Sequence, residues 1–228
     1  GEGGTIVSLL VFHEGDKEPK EIKITRATIN IPTLDTELRS DGIFVIKLYS
    51  FSANSPKLFQ NALEEFTKAN TDKLILDLRG NPGGYLDAAV SMASWFLEGG
   101  KPVVTEDYGI SGKQEIYRSR GYDIFTDKLK MAILIDGGSA SASEILAGAL
   151  QDYKKAVLVG TQSYGKGSVQ EVIKITKDTI LKITVANWLT PNNQSISLKG
   201  LTPDYVVEKS ENKDKDTQLD KAVEILLK

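Results

Sequence analysis

Cysteine is absent from the 228-residue sequence. No disulfide, thiol nucleophile or cysteine-based metal site can be built from it, though that absence does not fix a compartment. Histidine occurs once, as His13. A single imidazole far along the chain from the serines excludes a histidine-rich metal site and speaks against a Ser-His-Asp triad. No apolar run is long enough to span a membrane, and no signal-peptide pattern is present. Charge of one sign is lacking too: 28 Lys and Arg are interspersed with 31 Asp and Glu, for a net charge of -3. With no basic stripe, nucleic acid is not an expected partner. Internal repeats and low-complexity tracts are missing. The opening GEGGTIVSLL begins inside a pattern, as a fragment boundary would. The length suits one large domain or two small ones.

What is present is patterned. Residues 131–170, MAILIDGGSASASEILAGALQDYKKAVLVGTQSYGKGSVQ, read as strand, turn, helix, strand and glycine-rich loop. MAILID is a buried-strand run ending at two glycines. Ile145, Leu146, Ala149, Leu150 and Tyr153 recur at helical spacing, so a helix runs from about Ser141. Ser141-Ala142-Ser143-Glu144 fits a capping box. AVLVG predicts a second buried strand. Two parallel strands joined by a helix bring their C-terminal ends to one rim, so the serines come near Lys166. That pairing suggests a Ser–Lys hydrolase.

Elsewhere, residues 5–12 and 20–31 predict a β-hairpin. A strand (42–50), a helix from Ser55 and a strand (73–78) predict a βαβ unit. Arg79-Gly80-Asn81-Pro82-Gly83-Gly84 then leads into a helix over 86–98. Backbone N–H groups uncovered by side chains at such a place suit an anion. Residues 101–118 predict two strands, 168–176 and 179–189 a hairpin, and 205–208 a short strand. A charged linker (210–216) precedes an amphipathic helix carrying Leu219, Ala222, Val223, Leu226 and Leu227. The class is mixed α/β.

Each candidate has a plain reading beside its chemical one. Ser139 lies in the turn and Ser143 inside the helix. Ser141, at the helix start, meets the positive end of the dipole, or is only an N-cap. Lys166 is a candidate base, or a solvated loop lysine. A free lysine titrates near 10.4, so a base needs burial and no close carboxylate; Glu171 is the nearest acid downstream of the loop. Asp77, Asp136, Asp152 and Glu144 read as structural. The glycines at 83 and 84 allow a tight turn in either case. Residues 160–166 also fit the first seven places of a P-loop, but Gly167 stands where Ser or Thr is needed and a strand follows instead of a helix.

GGSASASEILAGALQDY with GKGSVQ, LDLRGNPGGYLDAA, and LTPNNQSISLKGLTPD resemble segments of the C-terminal processing peptidases, also called tail-specific or carboxyl-terminal proteases, of serine peptidase family S41. The resemblance covers residues 43–228. It implies a ClpP/crotonase-like core of βαβ units and a Ser141–Lys166 dyad. It also implies Gln170 as the residue that orients the lysine, and an oxyanion hole from the N–H of Ala142 and that of Gly83 or Gly84. By the same resemblance, residues 1–32 are the C-terminal end of a truncated PDZ domain and 33–209 the protease core. The charged linker and helix occupy 210–228. The expected activity is cleavage near the C-termini of extended or unfolded proteins, outside the cytoplasm, by an enzyme needing no metal or cofactor. Its partner is a protein or peptide with a free C-terminus, and a homo-oligomer stays open. The alternative is a non-catalytic binder of peptide or ligand on the same fold.

Overall fold

The structure, a computed structural model, describes all residues except 30, 31, 126 and 213. It divides into two units, Gly1–Pro32 and Thr33–Lys228. The first is an antiparallel hairpin of β1 (Ile6–Val11) and β2 (Lys20–Thr25). The second strand is shorter than expected: it ends at Thr25, and the last two residues of the predicted stretch lie outside the described ones.

The second unit is built on a six-stranded sheet. Its strands in chain order are β3 (Leu34–Leu38), β4 (Phe44–Leu48), β5 (Lys73–Asp77), β8 (Lys130–Ile135), β9 (Val157–Gly160) and β12 (Tyr205–Val206). Across the sheet the order is β12-β9-β8-β5-β4-β3, parallel except for β3. Alternate strand residues face opposite ways. Leu74, Leu76, Ile133 and Ile135 join a core with helices α1 (Ser55–Lys68), α2 (Leu86–Ala93) and α3 (Ala142–Asp152). Ile75, Ala132 and Leu134 face the other way and meet Ala222 and Leu226 of α4 (Thr217–Leu226). Burying a large aliphatic side chain of this kind contributes about 1.5–3 kcal/mol, which accounts for the long apolar runs of the central strands.

α2 is shorter than its apolar pattern predicts. The Ser94 hydroxyl donates to the Val90 carbonyl, and turns replace the helix over residues 94–96. A side chain competing for its own helix carbonyls favours such an end. A second, antiparallel sheet has the order β10-β11-β6-β7, formed by β6 (Pro102–Asp107), β7 (Gln114–Arg118), β10 (Ser168–Lys174) and β11 (Ile180–Leu189). β10 follows the loop after β9 directly, so no helix meets the P-loop pattern.

The neighbouring parallel strands β5, β8 and β9 thus end on one rim. Each hands the chain to a turn there: 78–85 before α2, 136–141 before α3, and 161–167 before β10.

Candidate active site

Ser141 caps α3 with φ 56° and ψ -114°, a conformation side chains rarely adopt. Such backbone costs about 1–3 kcal/mol and persists only where the surroundings enforce it. Strand-to-helix turns strained in this way present nucleophilic serines in α/β hydrolases. The other two serines are spoken for. Buried Ser139 donates its hydroxyl to the Leu78 carbonyl at 2.8 Å, and buried Ser143 donates to the Asn81 carbonyl at 3.0 Å. Ser141 alone of the three is only partly buried.

The 78–85 turn lies directly against this serine. A Cβ on Gly83 would sit 2.6 Å from the Ala140 carbonyl oxygen and 2.9 Å from both Ala142 N and Ser141 Cβ. Gly83 also has φ 96°, so glycine is required on both counts. The Gly83 N–H already donates to Asn81 Oδ1 at 2.9 Å. The Gly84 N–H has no partner among the described residues, and neither does that of Ala142, the first helical residue of α3. Helix starts leave such donors free. Asp136 ties the two turns: its Oδ1 accepts the N–H of Gly80 at 2.8 Å and of Gly138 at 2.9 Å.

Glu144 is the residue that sequence reasoning undervalued. The capping box forms, with Glu144 Oε2 accepting the Ser141 N–H at 2.8 Å. The same carboxylate then reaches the third turn. It accepts the Ser163 hydroxyl at 2.6 Å, the Gly165 N–H at 2.7 Å and the Lys166 N–H at 3.0 Å. It is 1% exposed. A buried carboxylate needs that many donors when no cation pairs with it. A glutamate in a capping box signals only the first of these contacts; the other three come from a loop 19 to 22 residues away in sequence.

Lys166 therefore arrives at the rim by its backbone. Its side chain is exposed, with no hydrogen bond or ion pair to Ser141 or to any other described group. The side chain faces solvent, where a base asks for burial, and the carboxylate of Glu144 binds the Lys166 N–H. Gln170 is likewise exposed, on β10 at an irregularity between Val169 and Gln170, and its side chain touches no partner. His13 is exposed in its hairpin turn, with Nδ1 3.4 Å from Asp16. No cluster of metal-ligating side chains occurs among the described residues, and no described helix is long and apolar enough to cross a membrane.

A sequence profile described as Peptidase family S41 matches residues 42–207. A carboxy-terminal-processing protease of Bartonella bacilliformis is 41% identical over 212 residues, covering 91% of this chain and 48% of the relative. A carboxyl-terminal-processing protease of Synechocystis sp. is 37% identical over 214 residues, covering 91% and 49%. Among solved structures, a photosystem II D1 C-terminal processing protease superposes with a TM-score of 0.77 at 26% identity, over 99% of this chain and 61% of that one. The chain spans about half the length of these curated relatives.

Proposed function

The chain belongs to peptidase family S41, and on that premise we propose that it carries the catalytic part of a serine endopeptidase. One observation supports the reading above the others. Ser141 is strained and half-open at the start of α3, with Gly83 packed against it, and the N–H groups of Ala142 and of Gly84, next in that turn, have no acceptor among the described residues. In this reading neutral Lys166 takes the Ser141 proton as Oγ attacks the scissile carbonyl. The tetrahedral oxyanion is held by the N–H of Ala142 and of Gly84, the partner of Gly83 in the turn. Each such donor contributes about 3–4 kcal/mol to the transition state. Lys166, now charged, protonates the leaving amine, and water releases the acyl group from Ser141. Gln170 orients the amine through its side-chain carbonyl, adding no negative charge.

The exposed position of Lys166 gives this scheme a condition. A lysine base must lose its proton, which shelter from water favours. An extended substrate laid along the rim would supply that shelter, and contacts long or absent in a free enzyme close in the bound one. The substrate is an extended or unfolded protein cut near its C-terminus, in a compartment outside the cytoplasm. The unit Gly1–Pro32 is the end of a PDZ domain in the same reading.

Cleavage of casein by the chain, beside Ser141→Ala, Lys166→Ala and Lys166→Arg, tests the scheme. The parent cuts; all three variants keep the fold by circular dichroism and lose at least about 10⁴-fold in rate. Normal activity in Lys166→Arg removes the lysine as base, because arginine stays charged. A folded but silent parent points instead to a binding protein on the same fold.

A further inference from the structure

The 79–84 turn is held from two directions. From the serine side, Asp136 accepts the Gly80 N–H. From the opposite side it is held by Arg79, the residue that opens it. A guanidinium has five N–H donors, and here each direction of the fork is used. Asp77 accepts from Nε at 3.0 Å and from Nη2 at 2.7 Å. Asp216 accepts from Nη1 at 2.7 Å and from Nη2 at 2.8 Å. Gln218 Oε1 accepts from Nη1 at 3.2 Å, while its Nε2 donates to the Val207 carbonyl at 2.9 Å. Burial works against the Arg79 charge, and the hydrogen bonds it donates to Asp77 and Asp216 outweigh that, so the guanidinium is held firmly protonated.

Asp216 lies 137 residues further along the chain. It is also the N-cap of α4, accepting the Leu219 N–H at 3.0 Å. One carboxylate therefore begins the C-terminal helix and grips the turn that carries Gly83 and Gly84. The helix itself is fixed elsewhere: Ala222 and Leu226 are buried against the sheet face turned away from α1, α2 and α3. Forked Arg–carboxylate pairs fix orientation as well as distance.

We propose that Asp216 is a positioning residue of the active site: through Arg79 it ties the C-terminal helix to the 79–84 turn and so holds that turn, with Gly83 packed on Ser141, in place for the Gly84 N–H to serve as oxyanion donor. The proposal rests on the peptidase reading above. It makes α4 part of the catalytic scaffold rather than a tail appended to it.

The test uses the whole chain and compares the parent with Asp216→Asn, Arg79→Lys and the double variant. Asparagine is as good an N-cap as aspartate, so the start of α4 survives while the charged fork does not. Loss of a whole oxyanion donor costs about 10²–10³-fold, and a turn that loosens without leaving loses part of that, about 10-fold in kcat, with KM little changed. A peptide boronic acid forms a tetrahedral adduct on serine. Its affinity falls by the same factor as kcat in Asp216→Asn, whereas that of the cleaved product peptide does not move. The double variant is no worse than the poorer single one, because the two residues act as a unit. Parental kcat and parental boronate affinity in Asp216→Asn overturn the proposal, as do losses that multiply in the double variant. A folded parent that neither cleaves nor takes the boronate on Ser141 brings down the peptidase reading itself, and this inference with it.

Discussion

The turn that carries Ser141 is tied on every side, while Lys166, in the loop that faces it, is tied through its backbone alone. At the serine, Ser139 and Ser143 bond across to the 78–85 turn, Ala140 N–H donates to the Asn81 carbonyl at 3.0 Å, and Asp136 holds glycines of both turns. At the lysine, Glu144 binds the Gly165 and Lys166 N–H groups, and the Leu198 N–H donates to the Gly165 carbonyl at 3.0 Å. The Lys166 side chain lies beyond all of this, in solvent. Past it, β10 and β11 leave Val172, Ile180 and Ile183 exposed. The contrast separates two requirements of acyl transfer. Oxyanion donors act best when their orientation is fixed before the reaction, so that no reorganisation is needed. A lysine base needs a dry surrounding, which substrate can bring with it.

The sharpest break of the fixed half is Gly83→Ala. The new Cβ meets the Ala140 carbonyl and Ala142 N, at φ 96°, so the two turns must separate or the backbone must change. Displacing a donor by even part of an ångström removes most of its effect. The expected loss is about 10²–10³-fold in kcat, with a melting temperature lowered by the strain. A variant with parental kcat would show that the turn is not in contact with the reacting atoms.

Glu144→Gln attacks the link between the halves and should act less severely. The amide keeps the shape but turns an NH₂ toward backbone donors that the carboxylate satisfied. Buried donors left without acceptors cost about 1–3 kcal/mol, read as a lowered urea midpoint at unchanged slope. Turnover falls with it by about 10-fold, since serine and lysine lose their common anchor. An unchanged midpoint would mean that the two loops hold their places without this carboxylate.

The fixed half was also the more legible in sequence, for a physical reason. Its strands and helix are local patterns: apolar runs in β8 and β9, helical spacing in α3, glycines at the turns. β3 escaped because Leu-Asp-Thr-Glu-Leu alternates poorly and is mostly exposed; only its pairing with β4 makes it a strand. The linkages escaped altogether. Glu144 with Gly165, and Arg79 with Asp216, join residues 21 and 137 places apart, and nothing in the local pattern of either partner reports the other. The exposure of Lys166 was hidden likewise, because burial depends on what the rest of the fold lays over a loop.

Gln170 gives the smallest expected effect and bears on the half still open. Its backbone pairs with Thr184 while its side chain stands exposed. Nothing in the free chain depends on that side chain, so Gln170→Ala should leave stability within about 0.5 kcal/mol. If Gln170 meets Lys166 only once a substrate covers both, kcat still falls, by about 3- to 5-fold, and KM stays put. Gln170→Glu has nearly the same shape and should do more harm than alanine at neutral pH, because a carboxylate beside the amine favours its charged form. Alanine merely removes an orienting group, whereas glutamate opposes the proton transfer itself. Should glutamate prove as active as the parent, Gln170 does not face Lys166 during the reaction, and the lysine half of the site is completed by something other than β10.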